Sequence, residues 1–264
     1  MIDRSIDIEG LSIRYLATAP EASEMPKTPL IILHGWGVTA DHWRGVLECL
    51  EKAGFAAFAP DLPGFGKSQA PARGWSLLDY EMFVEHFSQA LNLPLFALLG
   101  HSFGGRVAIM VAWKTPQKLS KFILVDSAGV IPRNKLRLAA YRFFTKVGKY
   151  IFTLAGLRLL RKPARKIIYW VSGTYDYYAQ TGSMRETFQN VIGKDLTPYL
   201  KDIKTPTLIL WGAQDRMTPV SDAHILHKGI AGSALRIFED MGHSGHVANP
   251  SLIADEIAQF MKHT

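Results

Sequence analysis

The chain has 264 residues, of which 48% are hydrophobic and 20% charged, a balance typical of a globular protein with a substantial core. No apolar stretch approaches the roughly 18 to 20 residues of a membrane-spanning helix, the first ten residues lack the apolar centre of a signal peptide, and Cys49, the single cysteine, excludes internal disulfides. We therefore expect a cytoplasmic protein, and its net charge of +7 is concentrated in one segment.

The first half of the sequence predicts a hairpin followed by buried strands and helices. Alternating residues at Ser5 to Glu9 and at Ser12 to Thr18 flank Gly10, which is typical of a β-hairpin. Four continuous apolar runs have the length of strands buried on both faces, at Leu30 to Leu33, Phe55 to Ala59, Leu95 to Leu99 and Phe122 to Val125. Helical spacing separates them, at Asp41 to Lys52, Leu77 to Leu91 and Arg106 to Trp113. This alternation indicates an α/β protein with a mainly parallel sheet.

The hexapeptide Gly100 to Gly105 joins the third apolar run to a helix, and its sequence is Gly-His-Ser-Phe-Gly-Gly. A serine between two glycines at such a turn is the pattern of a nucleophile elbow, in which the turn strains the serine backbone and exposes its Oγ. Gly100 and Gly104 carry no Cβ, so the strand and the helix can approach closely. Ser102 is therefore the predicted nucleophile.

The segment from Ser127 to Tyr175 contains eleven Lys and Arg residues and no Asp or Glu, so the rest of the chain has a net charge of −4. Helical patterns at about Asn134 to Leu160 and at Ala164 to Val171 predict a helical insertion here. One helix face is basic and the opposite face apolar, with Lys135, Arg142, Lys146 and Lys149 against Tyr141, Phe144, Val147 and Ile151. We interpret the basic face as the solvated side of a cap. Weak contact with an anionic membrane surface is the alternative, and the segment has no nucleic-acid reader motif.

Two further strands are predicted after this segment, at Thr207 to Trp211 and at Ala234 to Phe238, the last strand of the chain. A capping residue precedes a proline at Thr218-Pro219 and again at Asn249-Pro250, which predicts the start of a helix at each. The second of these helices is the last element of the chain and runs to about Lys262.

A serine hydroxyl needs a base to take its proton and a third group to orient that base. His243 lies beyond the last predicted strand, and Asp215 comes four residues after the strand before it. The chain order of nucleophile, acid and base is then the one expected for an α/β-hydrolase. The predicted oxyanion donors are the backbone N–H groups of Phe103, which follows the nucleophile, and of Trp36, which follows the strand ending at Leu33.

Other residues compete for these roles. Asp126, at the end of the strand after the elbow, is the rival acid. His246 is the rival base, because it lies three residues after His243. His101 adjoins Ser102, but its side chain leaves the turn in another direction, and we expect structural roles for His34 and Asp61. The nine histidines are scattered, so no metal site is predicted.

Five stretches in this order resemble the α/β-hydrolase superfamily, in its serine-esterase group with a helical cap. They are His34 to Gly37, Asp61 to Ser68, Gly100 to Gly105, Trp211 to Asp215 and Gly242-His243. The resemblance implies an α/β-hydrolase fold with a mostly parallel eight-stranded sheet flanked by helices. It implies a core domain of residues 1–130 and 196–264, a cap of residues 131–195 that lines the pocket from Ile131 to Asp195, and no cofactor. One departure is Ala248, where many relatives carry Glu two residues before a proline.

The resemblance implies cleavage of a carboxylic ester of a small to medium acyl substrate. Relatives that cleave carbon–carbon bonds in ring-fission products usually have Gly-Pro where this chain has Val38-Thr39, and an aromatic residue where it has Ser244-Gly245. Carbon–carbon cleavage is therefore the runner-up, and an amidase, lipase or thioesterase is a further alternative. From another class, the fold could serve as a ligand-binding or membrane-surface protein. The sequence indicates no oligomeric state.

Overall fold

The computed structural model describes residues 1–18, 28–130 and 182–262, which belong to one compact unit. The two predicted cap helices, and with them the basic face, lie outside the described residues. Of the segment assigned to the cap, residues 182–195 are described. Within the described ranges, no helix combines the length and apolar composition needed to cross a membrane.

Eight strands form one sheet in the order β1-β2-β4-β3-β5-β6-β7-β8. Their ranges are β1 Ile2–Ile8, β2 Leu11–Ala17, β3 Leu30–Leu33, β4 Ala57–Pro60, β5 Phe96–His101, β6 Leu119–Val125, β7 Thr207–Gly212 and β8 Ala234–Phe238. The hairpin of β1 and β2 is antiparallel and β2 pairs antiparallel with β4, whereas every pairing from β4 through β8 is parallel. The predicted mostly parallel, eight-stranded sheet is confirmed.

Helices flank the sheet on both faces. Their ranges are α1 Arg44–Lys52, α2 Leu77–Ala90, α3 Phe103–Lys114, α4 Gly182–Ile192, α5 Val220–Gly229, α6 Gly245–Ala248 and α7 Pro250–Lys262, with short 3-10 turns at Ala40–Trp43, Pro116–Lys118 and Thr197–Asp202. Ile31 and Leu33 of β3 face a core with α2 and α3, while Leu30 and Ile32 face a core with α1 and α7. Successive residues of a strand point to opposite faces, so a strand between two helical layers is apolar throughout.

The strand predicted from Phe55 begins two residues later, because Phe55 completes the end of α1. Gly54 has φ +82°, its N–H donates to the Glu51 carbonyl, and the Phe55 N–H donates to the Leu50 carbonyl. These two bonds form a Schellman motif, which satisfies carbonyls that the helix leaves without partners. The apolar run therefore divides between a helix end and β4.

Residues 182–194 attach to the core through polar contacts. Thr187 Oγ1 accepts a hydrogen bond from the Trp75 N–H at 2.8 Å, and Glu186 accepts one from the Gly74 N–H at 3.1 Å. Arg106 is buried in α3 and donates to the Lys194 carbonyl at 2.8 Å. These contacts fix the point at which the chain returns to the sheet.

Candidate active site

Ser102 lies at a strained turn between β5 and α3. Its φ is +50° and its ψ is −115°, a conformation that costs a non-glycine residue free energy. A Cβ at Gly100 would lie 2.5 Å from the Gly104 carbonyl oxygen, and a Cβ at Gly104 would overlap the Leu33 carbonyl of β3. The close approach of β3, β5 and α3 thus requires both glycines, as the elbow pattern predicts.

His243 and Asp215 meet at the same edge of the sheet, where β7 and β8 end. The distance from His243 Nδ1 to Asp215 Oδ2 is 2.7 Å, the Asp215 side chain is fully buried, and the His243 side chain is 14% exposed. Burial raises the pKa of Asp215, but hydrogen bonds from His243 and Thr218 outweigh it and leave the pKa below its ordinary value. Asp215 is therefore a carboxylate at neutral pH.

Thr218 completes the surroundings of this carboxylate. Asp215 Oδ1 accepts hydrogen bonds from the N–H groups of Met217 at 2.7 Å and Thr218 at 2.9 Å, while Thr218 Oγ1 lies 2.6 Å from Oδ2. The prediction that Thr218 caps the following helix is wrong, because the N-cap is Pro219 and has no capping side chain. The spacing of three residues between Asp215 and Thr218 was the signal in the sequence for this contact.

Asp126, the rival acid, makes a different contact. Its Oδ1 accepts a hydrogen bond from the Gly212 N–H at 2.9 Å. Burial raises the pKa of the Asp126 carboxyl to about 7, although the bond from Gly212 opposes that effect. The structure therefore brings Asp215, and not Asp126, to Nδ1 of His243.

His101, which precedes Ser102, and His246, three residues after His243, are buried and neutral. His101 Nε2 donates to the His243 carbonyl at 2.9 Å, and the His246 ring stacks on Trp43 with the ring centroids 4.3 Å apart. Burial lowers the pKa of His246 to about 3 and that of His101 well below its ordinary value. Asp215 contacts neither ring, so only His243 has an acid partner in this cluster.

His34 shapes the loop that carries Trp36. Its Nε2 accepts a hydrogen bond from the Leu62 N–H at 2.9 Å, so the proton is on Nδ1, which donates to the Gly35 carbonyl at 2.7 Å. Burial lowers the pKa of His34 to about 4, although the bond to Gly35 opposes that effect, and the ring is neutral. A Cβ at Gly35 would lie 3.3 Å from Ser102 Cβ. The predicted oxyanion loop therefore borders the serine.

Asp61 holds the end of the loop that carries Trp36. It is fully buried and accepts hydrogen bonds from the N–H groups of Ala40 at 2.7 Å and Lys67 at 3.0 Å. The buried guanidinium of Arg14 lies 3.3 Å from both of its oxygens. Asp61 thus has the structural role that we expected.

Three aromatic rings surround the Trp36 side chain. Its ring centroid lies 4.8 Å from Phe65, 5.0 Å from Phe188 and 5.1 Å from Phe103, each in an edge-to-face arrangement. Phe188 belongs to α4, and no sequence motif pointed to it. The two residues whose N–H groups are the predicted oxyanion donors, Trp36 and Phe103, are thus packed together.

Ser102 itself is partly exposed. Its Oγ forms no hydrogen bond with any other residue that the structure describes. The described residues also contain no group of three His, Cys, Asp or Glu side chains suited to a metal ion. The segment predicted to line the pocket is described only from residue 182 onward.

Comparison with known proteins identifies the family. Residues 30–256 match the model of the alpha/beta hydrolase family. The chain belongs to this family. An uncharacterised protein of Mycobacterium tuberculosis is 29% identical to this α/β-hydrolase, over 89% of the present chain and 75% of its own.

Two further relatives of this α/β-hydrolase have named activities. The 2-hydroxy-6-oxononadienedioate/2-hydroxy-6-oxononatrienedioate hydrolase of Escherichia coli is 27% identical, over 81% of the present chain and 80% of its own. An esterase of Exiguobacterium antarcticum has the same fold, with a TM-score of 0.73, 22% identity and 97% of both chains covered. The family match and the Escherichia coli relative identify the chain as a hydrolase.

Proposed function

We propose that this α/β-hydrolase cleaves a carboxylic ester of a small to medium acyl substrate through a Ser-His-Asp triad and an acyl-enzyme intermediate. The observation that carries the proposal is the 2.7 Å contact between His243 and Asp215. It lies at the edge of the sheet where Ser102 occupies a strained turn. A charged, fully buried carboxylate bonded to a partly exposed imidazole is the arrangement that a general base requires.

The position of the proton on His243 determines which ring nitrogen can act as the base. A carboxylate can only accept a hydrogen bond, so Nδ1 carries the proton and Nε2 keeps its lone pair. His243 Nε2 takes the proton from Ser102 Oγ as that oxygen attacks the acyl carbon. The hydrogen bond between these two atoms is expected to form with the substrate bound, because such contacts tighten in the Michaelis complex.

Two backbone donors are proposed for the oxyanion. Phe103 is the first residue of α3, and the amides of a first helical turn have no acceptor inside the helix. Trp36 follows Gly35, which borders Ser102. Donors held in place before the reaction stabilise the negative charge that develops on the carbonyl oxygen.

Both halves of the reaction use the same groups. In the first, the bond from the acyl carbon to the leaving oxygen breaks, and His243 gives its proton to the departing alcohol. In the second, His243 takes a proton from water, the hydroxide attacks the acyl-enzyme, and the proton returns to Ser102 as the carboxylic acid departs. No cofactor enters either step.

Hydrolysis of p-nitrophenyl acetate and butyrate tests the proposal, with Ser102→Ala as the control. We expect turnover by the wild-type protein, loss of turnover in the variant, and covalent labelling of Ser102 by a fluorophosphonate. Absence of both turnover and labelling in the wild-type protein would show that the proposal is wrong. Tight binding of an ester without turnover would favour a ligand-binding protein instead.

Carbon–carbon bond hydrolysis is the second candidate. It is favoured by the Escherichia coli relative, whose name gives 2-hydroxy-6-oxononadienedioate as a substrate. A substrate panel with a 2-hydroxy-6-oxo dienoate, esters of increasing acyl length, an acyl thioester and an anilide separates this activity from esterase, lipase, thioesterase and amidase activity. The activity whose substrate has the highest kcat/KM is assigned to the protein.

The remaining parts of the proposal concern partners and location. We propose a small-molecule acyl compound as the partner, no nucleic acid, and the cytoplasmic location that the sequence predicts. Contact of the basic cap face with a membrane is tested by binding to anionic vesicles at low and high salt. Charge reversal at Arg142, Lys146 and Lys149 should abolish any such binding.

A further inference from the structure

All three polar atoms of Thr218 are hydrogen-bonded, and two of them bond to the acid of the candidate active site. Its N–H donates to Asp215 Oδ1 at 2.9 Å, and its carbonyl accepts a hydrogen bond from the Trp211 indole N–H at 2.9 Å. Its Oγ1 lies 2.6 Å from Asp215 Oδ2 and 3.3 Å from His243 Nδ1. The residue is buried, and bonds on both sides hold its backbone.

The single hydroxyl proton of Thr218 has two acceptors within reach. One is Asp215 Oδ2 at 2.6 Å, and the other is the Asp126 carbonyl at 3.1 Å. The shorter distance and the negative charge both favour Asp215, because bonds to charged acceptors are shorter and stronger. The hydroxyl proton therefore points to the same oxygen that accepts the His243 proton.

The Asp215 carboxylate then accepts four hydrogen bonds. Oδ1 takes the two backbone N–H groups of Met217 and Thr218, and Oδ2 takes Thr218 Oγ1–H and His243 Nδ1–H. Four is about the full capacity of a carboxylate. The carboxylate is held so that one particular lone pair of Oδ2 remains for the imidazole.

We propose that Thr218 is a positioning residue of the hydrolase, whose hydroxyl holds Asp215 Oδ2 in place for His243. The inference rests on the proposed function, in which His243 is the general base. Thr218 acts through Asp215 and is not assigned a contact with the substrate. Its hydroxyl also takes part of the charge on Oδ2, so it moderates the attraction of the carboxylate for the His243 proton.

Removal of the hydroxyl has a defined electrostatic direction. A carboxylate with fewer donors is more basic, so it either binds the imidazolium more strongly or takes up a proton itself. Both changes raise the apparent pKa of the coupled pair and move the acid limb of kcat/KM to higher pH. A role confined to packing would leave that limb unchanged.

Other titratable groups face this pair, and their contributions must be separated from that of Thr218. They are Asp126 at the end of β6, Asp222 in α5, and the neutral rings of His101 and His246. All four are present in every Thr218 variant. A shift that appears only when the hydroxyl is removed is therefore assigned to Thr218.

The test compares Thr218→Val and Thr218→Ala with Thr218→Ser, which keeps the hydroxyl. The matched control is Thr207→Val, because Thr207 is also buried but its Oγ1 donates to the Thr205 carbonyl at 2.7 Å. Three measurements are made on each variant: the kinetics with p-nitrophenyl butyrate, which give kcat and KM, the pH profile of kcat/KM, and the low-field NMR resonance of the His243 Nδ1 proton.

We expect kcat to fall about tenfold or more in Thr218→Val and Thr218→Ala with little change in KM, since bonds to charged groups are strong. The acid limb should move upward and the NMR resonance should shift, while Thr218→Ser and Thr207→Val should match the wild type. A Thr218→Ser variant as impaired as Thr218→Val, or Thr218→Val and Thr218→Ala variants with wild-type pH profile and resonance, would overturn the inference.

Failure of the proposed function gives a different result. In that case the wild-type protein itself shows no turnover and no fluorophosphonate labelling. The NMR comparison does not depend on turnover, so it still decides whether the Thr218 hydroxyl controls the pair of Asp215 and His243.

Discussion

Substitution of Asp215 by Asn tests which ring nitrogen of His243 must carry the proton. Two backbone N–H groups point at Oδ1, so the amide oxygen of the new side chain must occupy that position. The amide nitrogen then occupies the Oδ2 position, 2.7 Å from His243 Nδ1. Because that nitrogen is a donor, His243 Nδ1 must become the acceptor and the proton must move to Nε2.

The expected loss is large because two contributions disappear together. The lone pair on Nε2 is no longer available to Ser102, and no negative charge stabilises the imidazolium. Loss of the same arrangement in a serine protease lowers kcat by about 10⁴, which corresponds to about 5.5 kcal/mol of transition-state stabilisation. The structure offers Thr218 Oγ1 as an acceptor for the second amide hydrogen, so the fold should tolerate the change.

The assay is kcat/KM for p-nitrophenyl butyrate at pH 8, with thermal unfolding to confirm that each variant folds. Asp126→Asn is the matched control, because an amide oxygen can still accept the hydrogen bond from the Gly212 N–H. We expect a loss of about 10⁴ for Asp215→Asn and less than about tenfold for Asp126→Asn. The reverse ranking, or a loss below tenfold for Asp215→Asn, would refute the assignment of the acid.

Three further predictions follow from the structure, two on stability and one on the shape of the elbow. Burial raises the pKa of Asp126 from 3.8 to about 7, so the folded protein binds more protons than the unfolded chain and stability falls as pH rises from about 4 to 7. Asp126→Asn should remove this fall and, in urea unfolding at pH 8, increase the free energy of unfolding by on the order of 2–4 kcal/mol. Parallel pH dependence of stability in the two proteins would contradict this. Asp61→Ala should lower the free energy of unfolding by about 3 kcal/mol, since it removes the acceptor of the buried Ala40 N–H and of the partly buried Lys67 N–H, and a partner of the buried Arg14 guanidinium. A loss below about 1 kcal/mol contradicts this. Gly104→Ala should abolish labelling of Ser102 by a fluorophosphonate because its Cβ would overlap the Leu33 carbonyl, whereas Gly193→Ala, at an exposed turn with open space around its Cβ and no positive φ, should keep it.

The sequence predicted the fold because the relevant signals are local. An apolar run such as Leu30 to Leu33 is typical of a strand with helices on both faces, and the structure has that strand with the same bounds. The elbow was predictable for a steric reason, since only glycine fits where Gly100 and Gly104 lie against neighbouring backbone. The limits of elements were less predictable, as at Phe55, where a helix end and a strand share one apolar run.

The sequence by itself therefore determined the α/β sheet, the position of the elbow and the edge at which Ser102, Asp215 and His243 were expected, because parallel strands all end at one edge. Only the tertiary structure decided between Asp126 and Asp215 as the hydrogen-bond partner of His243. It also showed that Thr218 bonds to the Asp215 carboxylate and does not cap the following helix. The contact between Asp215 and His243 joins the loops after β7 and β8, so it depends on strand register and on which way each loop turns, and no local pattern in the chain encodes either. The contact between Asp215 and Thr218 lies within one loop, where the spacing of three residues was the local signal, although the proline after Thr218 favoured a helix cap.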